Sequence, residues 1–375
     1  MPTRDGARRW GEPLWPGRHL PKPAQIEPLS ADVAIIGGGL TGMSAAFHLA
    51  RRGLRTVVLE AAVVGEGASG RTGGIVLEGI ATGVRPGAED CVPGLARIVA
   101  ELCIECDLRL PGCWEIEHRE GGARQALPWR DEGAPIRIAR TVAGGSVEPR
   151  ALLMGLAEAA SAAGAIVAEN CPVRRIDLRR LTVEMEGRVL NAAHLIVALN
   201  AWTAAIVPGL PRLHCALTYA LATEALTDPV LREIGLETRM PFYTDDTPYL
   251  WGRVAAGGEV VFGSGLSFGS PDQLENMGIA SGDSPAILER LERRVRGLNP
   301  ALAKVRIAQR WAGPIAFTEG AVPLLGRHPE NPAVLVAGAY AGHGVAFSVH
   351  AGAMAARAIA DGTQLPRWGA LDRRA

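Results

Sequence analysis

Three glycines and an acid near the start of the chain carry the clearest chemical signal. Gly37, Gly39 and Gly42 form a G-x-G-x-x-G pattern. In this pattern the first glycine permits a tight turn, the second lets the backbone approach a pyrophosphate, and the third lets a helix pack closely on a strand. Glu60 follows at about the 20-residue spacing at which a carboxylate binds the hydroxyls of an adenosine ribose. An acid here disfavours a 2′-phosphate, so the pattern favours FAD or NAD over NADP.

The segment around these residues has the pattern of a strand, a helix and a second strand. Residues 32–36 are an apolar run with β-branched members, which predicts a buried strand. Residues 41–52 have helical periodicity, Gly53 is a suitable stop, and residues 56–59 predict the next strand, which ends at Glu60. The pyrophosphate would meet the free N–H groups at the helix start. A glycine-rich turn of an unrelated α/β protein is the alternative, and this context disfavours it.

A second glycine-rich segment, VGEGASGRTGGIV at residues 64–76, comes soon after this acid. Its five glycines keep the backbone thin, and Ser69, Arg71 and Thr72 supply hydrogen-bond donors. Such a loop can wrap a phosphate and the group beyond it. A flexible surface loop is the alternative, and the position of the segment after the acid disfavours it.

A third segment, residues 333–362, has the pattern of a strand, a glycine-rich turn and a helix. Gly338, Gly342 and Gly344 allow the backbone to approach a ligand closely. The helix start near His343 can direct its positive dipole end at a ring carbonyl, which would stabilise negative charge on a reduced flavin. A turn histidine with no chemical role is the alternative for His343.

Composition and charge exclude several classes of function. Of the 375 residues, 48% are hydrophobic and 21% are charged, with 39 basic and 39 acidic side chains. This balance argues against nucleic-acid and anionic-membrane partners, and no apolar run reaches the roughly 18 residues that span a bilayer. Cys103 and Cys106 have C-x-x-C spacing, but nothing completes a metal set, so we expect no metal. We expect a cytoplasmic protein with reduced thiols, and a Pro-rich arm at residues 1–23 that lies over the surface.

The remaining segments predict an α/β protein, α+β overall. An amphipathic stretch is expected at residues 93–106, helices at 150–163, 283–298 and 345–361, a strand hairpin at 173–189, and further strands at 165–169, 194–199, 217–222, 259–263 and 333–338. We expect a Rossmann-like FAD-binding domain interleaved with an antiparallel-sheet substrate domain. The first would comprise residues 1–85, 145–205 and 301–375, and the second residues 86–144 and 206–300.

Together these motifs resemble the FAD-dependent D-amino-acid-oxidase-like superfamily, which includes the glycine and sarcosine oxidases. The resemblance rests on residues 31–42, 65–74, 144–173, 195–203, 310–313 and 336–352. Within the superfamily, GASGRTGG and AGHGV are most similar to the gamma-glutamylputrescine oxidase branch. The resemblance implies an extended FAD and hydride transfer from a C–H next to nitrogen. It also implies hydrolysis of the imine to an aldehyde plus an amine or ammonia, with O2 reduced to H2O2.

Other interpretations stay open within this resemblance. One is an amino-acid oxidase of the glycine or sarcosine type, and another is a flavin dehydrogenase that passes electrons to a partner protein. A non-enzymatic scaffold stabilised by FAD is a third. No second G-x-G-x-x-G indicates a site for NAD, and the absence of cysteine after Cys215 predicts that FAD is bound noncovalently.

The resemblance also assigns residues to the site by position. The FAD contacts it implies are Gly37, Gly39, Leu40, Thr41, Gly42, Glu60, Ala61, Gly67, Ser69, Arg71, Thr72, Gly73, Gly74, Val173, Gly313, Gly342, His343, Gly344 and Val345. Glu60 would bind the ribose and Val173 the edge of the adenine. The candidate catalytic residues in the pocket are Trp311, Tyr340, His343 and Tyr249.

The stretch PFYTDDTPYLWGR adds further pocket candidates, since aromatic faces and carboxylates suit an amine or ammonium group. These are Tyr243, Asp245, Asp246 and Trp251. Ordinary packing in a sheet is the alternative for Tyr249 and Trp251.

Two departures from the superfamily concern the substrate. Where its amino-acid-oxidising members place an arginine for the substrate carboxylate, this chain has Pro314 and Ile315. Where sarcosine oxidases place a lysine, it has Ala346. A buried carboxylate without a cation is costly, so we expect an amine without an α-carboxylate. Arg71 or Arg253 are the candidates to replace the missing cations.

Overall fold

The computed structural model describes residues 9–17, 20, 29–118, 126–244 and 249–372. In chain order the strands are β1 (Ser30–Ile36), β2 (Thr56–Leu59), β3 (Ile75–Leu77), β4 (Cys113–His118), β5 (Ala126–Asp131), β6 (Ala134–Val142), β7 (Gly144–Ser146), β8 (Ile166–Ala168), β9 (Arg175–Asp177), β10 (Thr182–Met185), β11 (Arg188–Val197), β12 (Leu213–Ala225), β13 (Phe242–Thr244), β14 (Trp251–Val254), β15 (Glu259–Phe268), β16 (Ile307–Thr318), β17 (Leu324–His328) and β18 (Asn331–Gly338). The α-helices are α1 (Leu40–Ala50), α2 (Cys91–Glu101), α3 (Pro149–Ala162), α4 (Thr203–Ile206), α5 (Asp228–Glu233), α6 (Pro271–Asn276), α7 (Ser284–Leu298) and α8 (Gly344–Ala360).

The first sheet has the strand order β17-β18-β11-β1-β2-β8, and β18, β11, β1, β2 and β8 run parallel. β1 and β2 flank the glycine motif as predicted. The predicted hairpin forms from β9, β10 and the start of β11, which then continues into the middle of the sheet as one strand. The parallel strands bring the carboxyl ends of β1, β11 and β18 to one edge, which is where open α/β sheets bind ligands.

Helices α1, α2, α3 and α8 share one apolar core with the first sheet. Val33, Ile35 and Phe347 are fully buried in this core, and each such side chain stabilises the fold by about 1.5–3 kcal/mol. A side chain at Gly352 in α8 would clash with the Thr41 carbonyl of α1, so this glycine permits the close approach of the two helices. This packing fixes the start of α1, the end of the helix that we expect to face the pyrophosphate.

The second sheet has the order β16-β12-β15-β14-β13-β4-β6-β5. All its neighbouring pairs are antiparallel except β4 with β13, which is parallel, so the expectation of an antiparallel sheet is correct but for this pair. The predicted strands at 217–222 and 259–263 are parts of the longer β12 and β15. β12 lies next to the edge strand β16, and its residues Tyr219 and Ala220 are among those that line the cavity described below.

One predicted domain assignment has to change. Residues 301–375 were expected in the FAD-binding domain, but β16 pairs along its length with β12 and is therefore a strand of the second sheet. The sequence pattern could not show this, because an apolar strand does not reveal its pairing partner. The other boundaries of the two domains stay a prediction.

The described part of the N-terminal arm, residues 9–17, is inserted into the protein, so the expectation of an arm lying over the surface is wrong there. Trp10 is 0% exposed and Trp15 is 3% exposed. The Trp10 carbonyl accepts a hydrogen bond from Ala312 N of β16 at 2.7 Å, and its indole N–H donates to Leu274 O at 3.2 Å. Burying two indoles outweighs the polar and proline-rich composition that suggested a surface position.

All six cysteines are free thiols. Cys103 is exposed and Cys106 is buried, although the two belong to one C-x-x-C. Within the described ranges, no cluster of three or more His, Cys, Asp and Glu side chains is arranged to hold a metal ion. In the same residues, no helix combines the length and the apolar character needed to cross a membrane.

Candidate active site

The turn after β1 has the geometry that its three glycines predict. Gly37 has a φ of 107°, in the region that favours glycine, and a side chain there would meet the Ala198 carbonyl oxygen at 2.5 Å. A side chain at Gly42 would clash with the Gly37 carbonyl, while one at Gly39 would lie 2.9 Å from Ser69 Oγ. The backbone is therefore closely packed at all three glycines, as a pyrophosphate cradle requires.

Glu60 lies beside this turn and is held by the backbone. One carboxylate oxygen accepts Gly38 N–H at 2.9 Å, and the other accepts Ala62 N–H at 3.0 Å. Burial raises the pKa of Glu60 above its ordinary value, and the two backbone hydrogen bonds counteract this. Each oxygen keeps a lone pair for a further donor, so a ribose with two hydroxyls fits this carboxylate and the site suits FAD.

Ala61 and Val173 lie close to this acid. Cys171 N–H donates to the Glu60 carbonyl at 2.8 Å, which brings the following residues, with the buried Val173, beside the end of β2. This is the neighbourhood expected for the adenine. The contact of Val173 with the adenine edge stays a prediction.

The second glycine-rich segment packs against the first. It forms a short 3-10 helix, Ala68–Gly70, and Ser69 Oγ accepts the Leu40 N–H at 3.1 Å. Leu40 was expected among the residues that hold FAD, and its N–H is directed at Ser69. Gly74 has a φ of 76° and packs on the Val147 carbonyl, whereas nothing lies close to Gly67. Packing therefore requires glycine at 74, but not at 67.

Arg71 does not extend into the cavity as a free cation. Its Nε–H donates to the Glu66 carbonyl at 2.9 Å, and its Nη1–H donates to the Gly11 carbonyl at 2.6 Å. The guanidinium also lies 5.5 Å from the Trp10 ring. Burial lowers the pKa of Arg71 to about 10, so it stays charged at neutral pH. The structure therefore uses Arg71 to hold the loop together.

The turn after β18 is strained at two alanines. Ala339 has a φ of 59° and Ala341 a φ of 52°, and such left-handed alanines persist only where their surroundings fix them. Ala339 N–H donates to Asn200 Oδ1 at 3.1 Å, and Ala341 N–H donates to the Ala316 carbonyl at 3.1 Å. Asn200 therefore shapes this turn. Its position just after β11, at the ligand-binding edge of the sheet, was the signal available in the sequence.

Tyr340, expected in the catalytic pocket, lies between those two alanines and also contacts the first glycine motif. Its hydroxyl lies 2.7 Å from Thr41 Oγ1 in the first turn of α1. Burial raises the pKa of Tyr340, so the phenol stays protonated. A side chain at Gly344 would meet the Tyr340 ring at 3.3 Å. The third glycine segment is thus packed onto the first.

These segments surround one cavity of about 520 Å³. Of the residues expected from the sequence, it is lined by Gly39, Leu40, Thr41, Ser69, Arg71, Thr72, Gly73, Tyr243, Tyr249, Trp251, Trp311, Gly313, Tyr340, Gly342, His343, Gly344 and Val345. The expected residues that do not line it are Gly37, Gly42, Glu60, Ala61, Gly67, Gly74 and Val173. The lining residues that sequence reasoning missed include Ile75, Leu77, Asn200, Thr218, Leu266 and Phe317. Asp245 and Asp246 lie outside the described residues.

The tyrosine hydroxyls of the cavity wall already have partners. Tyr249 donates to the Gly265 carbonyl at 2.9 Å and lies 2.8 Å from Thr218 Oγ1. Burial raises the pKa of Tyr249 to about 12. Tyr243 donates to Glu115 at 2.8 Å, and its pKa is raised, chiefly by burial. Neither phenol ionises near neutral pH, so neither is a base for the reaction.

His343 lies at the N-terminal end of α8 and lines the cavity. Its ring centroid is 6.4 Å from that of Tyr243, in an edge-on arrangement. Burial lowers the pKa of His343, so the imidazole is neutral at neutral pH. A neutral imidazole offers one donor and one acceptor to a bound molecule. An electrostatic clamp for a carboxylate is therefore not present at this residue.

The cavity wall is apolar at Ile315, where the amino-acid-oxidising members of the superfamily place an arginine. Ile315 lines the wall, and its Cδ1 would lie 3.7 Å from a Cβ at Gly342. Ala346, where sarcosine oxidases place a lysine, is buried in the helix core and does not line the cavity. Arg253, proposed as a replacement, donates to the Gly73 carbonyl and also lies outside the lining. Of the two positions that lack the expected cation, Ile315 lines the cavity and Ala346 does not.

Comparisons with known proteins match the chain over most of its length. A family model described as DAO, FAD dependent oxidoreductase, matches residues 32–358. The chain is 27% identical over 391 residues to gamma-glutamylputrescine oxidoreductase of Escherichia coli (strain K12), covering 91% of this chain and 86% of that protein. It is 26% identical over 369 residues to glycine oxidase of Bacillus licheniformis, covering 90% and 95% respectively.

Solved structures agree on the fold. Glycine oxidase from Bacillus cereus ATCC 14579 has a TM-score of 0.72 at 19% identity, covering 92% of this chain and 99% of that chain. L-Amino acid deaminase from Proteus myxofaciens has a TM-score of 0.73 at 16% identity, covering 95% and 96%. At these identities the likeness concerns the fold alone.

Proposed function

From the premise that this chain belongs to the DAO family of FAD-dependent oxidoreductases, we propose that it oxidises an amine that carries no α-carboxylate. FAD is its cofactor, as in that family. Gamma-glutamylputrescine oxidoreductase and glycine oxidase, two relatives by sequence, act on an amine and on an amino acid by name. The choice between these substrate classes depends on how the cavity would hold a carboxylate.

The apolar wall at Ile315 is the observation that carries the proposal. Among the described lining residues Arg71 alone is charged, and its guanidinium is directed at backbone carbonyls. A carboxylate bound beside Ile315 would lose water without gaining a cation, and such a loss costs several kcal/mol. An amine with an apolar substituent would instead gain contact with Leu266, Phe317 and Ile315. The cavity therefore favours the amine.

The proposed reaction balances with dioxygen as the electron acceptor. Bound FAD supplies the acceptor for the hydride that leaves the carbon next to nitrogen. The product is an imine, and water converts it to an aldehyde plus an amine or ammonia. Two electrons and two protons then reduce O2 to H2O2. A partner protein as the electron acceptor is the alternative, and it would leave peroxide undetectable during turnover.

The residues of the cavity would bind the amine in its neutral form. Its nitrogen needs a free lone pair to support the developing iminium, and the described lining has no carboxylate that would stabilise an ammonium. The neutral imidazole of His343 can accept a hydrogen bond from the amine N–H. We propose His343 as a positioning group of this kind. A distal ammonium held by Asp245 or Asp246 stays a prediction.

A matched substrate pair tests the proposal. Benzylamine and phenylglycine differ only by the α-carboxylate, as do ethylamine and alanine. Anaerobic stopped-flow mixing should show faster flavin reduction by the amine of each pair, and also faster reduction than by glycine, sarcosine or D-alanine. Faster reduction by the amino acids would refute the substrate class. Peroxide detection during aerobic turnover tests the acceptor separately.

A further inference from the structure

The arm formed by residues 9–17 contacts both the second sheet and the glycine-rich loop of residues 65–74. On the sheet side, the Trp10 carbonyl pairs with Ala312 N. Gly11 has a φ of 74°, and a side chain there would meet the Arg310 carbonyl oxygen at 2.5 Å. The arm is therefore seated on β16 through its backbone and cannot shift without breaking that contact.

On the loop side, hydrogen bonds run in both directions. The indole N–H of Trp15 donates to the Gly70 carbonyl at 2.6 Å, and Arg71 of the loop donates to the Gly11 carbonyl at 2.6 Å. Trp15 is almost fully buried, so a Gly70 carbonyl that lost this donor would be left without a partner in the interior. The pairing fixes the loop against the arm.

Two neighbours of Trp15 bind the next carbonyls of the same loop. Trp311 donates its indole N–H to the Arg71 carbonyl at 2.9 Å, and its ring meets Trp15 edge-on at 5.6 Å. Arg253 donates to the Gly73 carbonyl, and its guanidinium lies 5.3 Å from the Trp15 ring. Trp15 is thus the central member of three side chains that orient the carbonyls of Gly70, Arg71 and Gly73.

We propose that Trp15 is a positioning residue for FAD, acting through this loop. Ser69, Thr72 and Gly73 of the loop line the cavity, together with Gly39 of the G-x-G-x-x-G turn. The carbonyls of the same loop accept the hydrogen bonds of Trp15, Trp311 and Arg253. A glycine-rich loop loses much conformational freedom when it is ordered. Fixing it before FAD arrives removes that cost from binding and so raises affinity. Trp15, which precedes the G-x-G-x-x-G motif, is on this proposal part of the cofactor site.

Two conservative variants of the full-length protein test this role. Trp15→Phe removes the N–H to Gly70 and keeps an aromatic ring. Trp10→Phe is the matched control, because it keeps an aromatic ring beside Arg71 and removes only an indole N–H that donates to Leu274 of α6. FAD titration of each apoprotein, followed by flavin fluorescence, should give a roughly tenfold higher dissociation constant for Trp15→Phe. The control should change by less than about twofold.

The flavin absorption spectrum and the apoprotein melting temperature separate positioning from general destabilisation. Trp15→Phe should shift the flavin bands of the FAD-saturated protein, and Trp10→Phe should not. Equal changes in FAD affinity for the two variants, or an unchanged affinity for Trp15→Phe, would overturn the proposal.

A measurement on the wild-type chain covers the case in which Trp15→Phe does not fold. If the arm supports FAD binding, FAD must stabilise the arm by the same free energy. Amide hydrogen exchange in residues 10–17 should therefore slow when FAD is added to the apoprotein. Unchanged exchange in this segment would contradict the role assigned to Trp15.

Discussion

The replacement of Glu60 by glutamine tests the ribose site at constant shape. In the protein, the two carboxylate oxygens accept Gly38 N–H and Ala62 N–H at 2.9 and 3.0 Å. A glutamine keeps one acceptor oxygen, so its amide group must face either a backbone N–H or the ribose hydroxyls. One charge-assisted hydrogen bond is lost, which is worth about 1.5–3 kcal/mol. The dissociation constant for FAD should therefore rise by roughly 10- to 150-fold.

Glu169 offers a matched control for this variant. Its carboxylate also accepts a backbone N–H, but from Val64 at 2.8 Å, whereas Glu60 accepts the N–H of Gly38 in the G-x-G-x-x-G turn. Isothermal titration of FAD into the apoproteins should show the large loss of affinity for Glu60→Gln and little change for Glu169→Gln. An unchanged FAD affinity in Glu60→Gln, or an equal loss in both variants, would refute the assignment of Glu60 to the ribose.

The pH dependence of apoprotein stability gives a second result for the same residue. Burial raises the pKa of Glu60 in the folded protein above its unfolded value. The contribution of Glu60 to the free energy of unfolding is therefore fully present below its pKa in the unfolded chain. It is lost as the pH rises through its pKa in the folded protein. The free energy of unfolding of the parent should therefore fall relative to that of Glu60→Gln as the pH rises over that window, measured by urea unfolding at a series of pH values. Parallel curves would contradict a raised pKa.

Further predictions concern the rest of the cavity. Gly344→Leu should impair FAD binding or flavin reduction, since a side chain there meets the Tyr340 ring at 3.3 Å; an unaltered spectrum and reduction rate would remove this turn from the site. Ile315→Arg should lower the dissociation constant of an α-amino acid by roughly tenfold or more in anaerobic titrations, with Ile315→Met as the control, and no gain would contradict the account of the apolar wall. Flavin reduction by an amine should accelerate with pH through the ionisation of the amine, and a flat profile in stopped flow would refute binding of the neutral form. Acid precipitation should leave the yellow colour in the supernatant, and colour retained on the pellet would refute noncovalent FAD.

The sequence predicts the elements that carry the first and third glycine motifs because their signals are local. Spacing alone places Gly37, Gly42 and Glu60 on one strand–helix–strand unit, and the two glycines pack closely as expected. The contacts of these residues with FAD stay a prediction. The elements from β1 to β2 and from β18 to α8 follow from apolar periodicity and glycine stops. Local patterns of this kind do not depend on what the rest of the chain packs against.

The missed features all depend on contacts between distant segments. Nothing local indicates that β16 pairs with β12, or that Trp15 donates to Gly70. The hydrogen-bond partners of Arg71 and Trp311 could not be predicted for the same reason. Arg71 is directed at backbone carbonyls, and the Trp311 indole binds the Arg71 carbonyl, because tertiary packing supplied partners that a motif cannot show. The substrate half of the cavity is built almost entirely from such contacts.

The burial of the cysteines affects how fast H2O2, a product of the proposed reaction, would oxidise the enzyme. Peroxide oxidises the thiolate and not the thiol. Burial raises the pKa of Cys106 to about 11 and that of Cys91 to about 12. At neutral pH such a thiol is ionised in on the order of one molecule in ten thousand or fewer. The exposed Cys103 is thus the thiol that we expect H2O2 to oxidise first. The buried thiols would stay reduced over many turnovers.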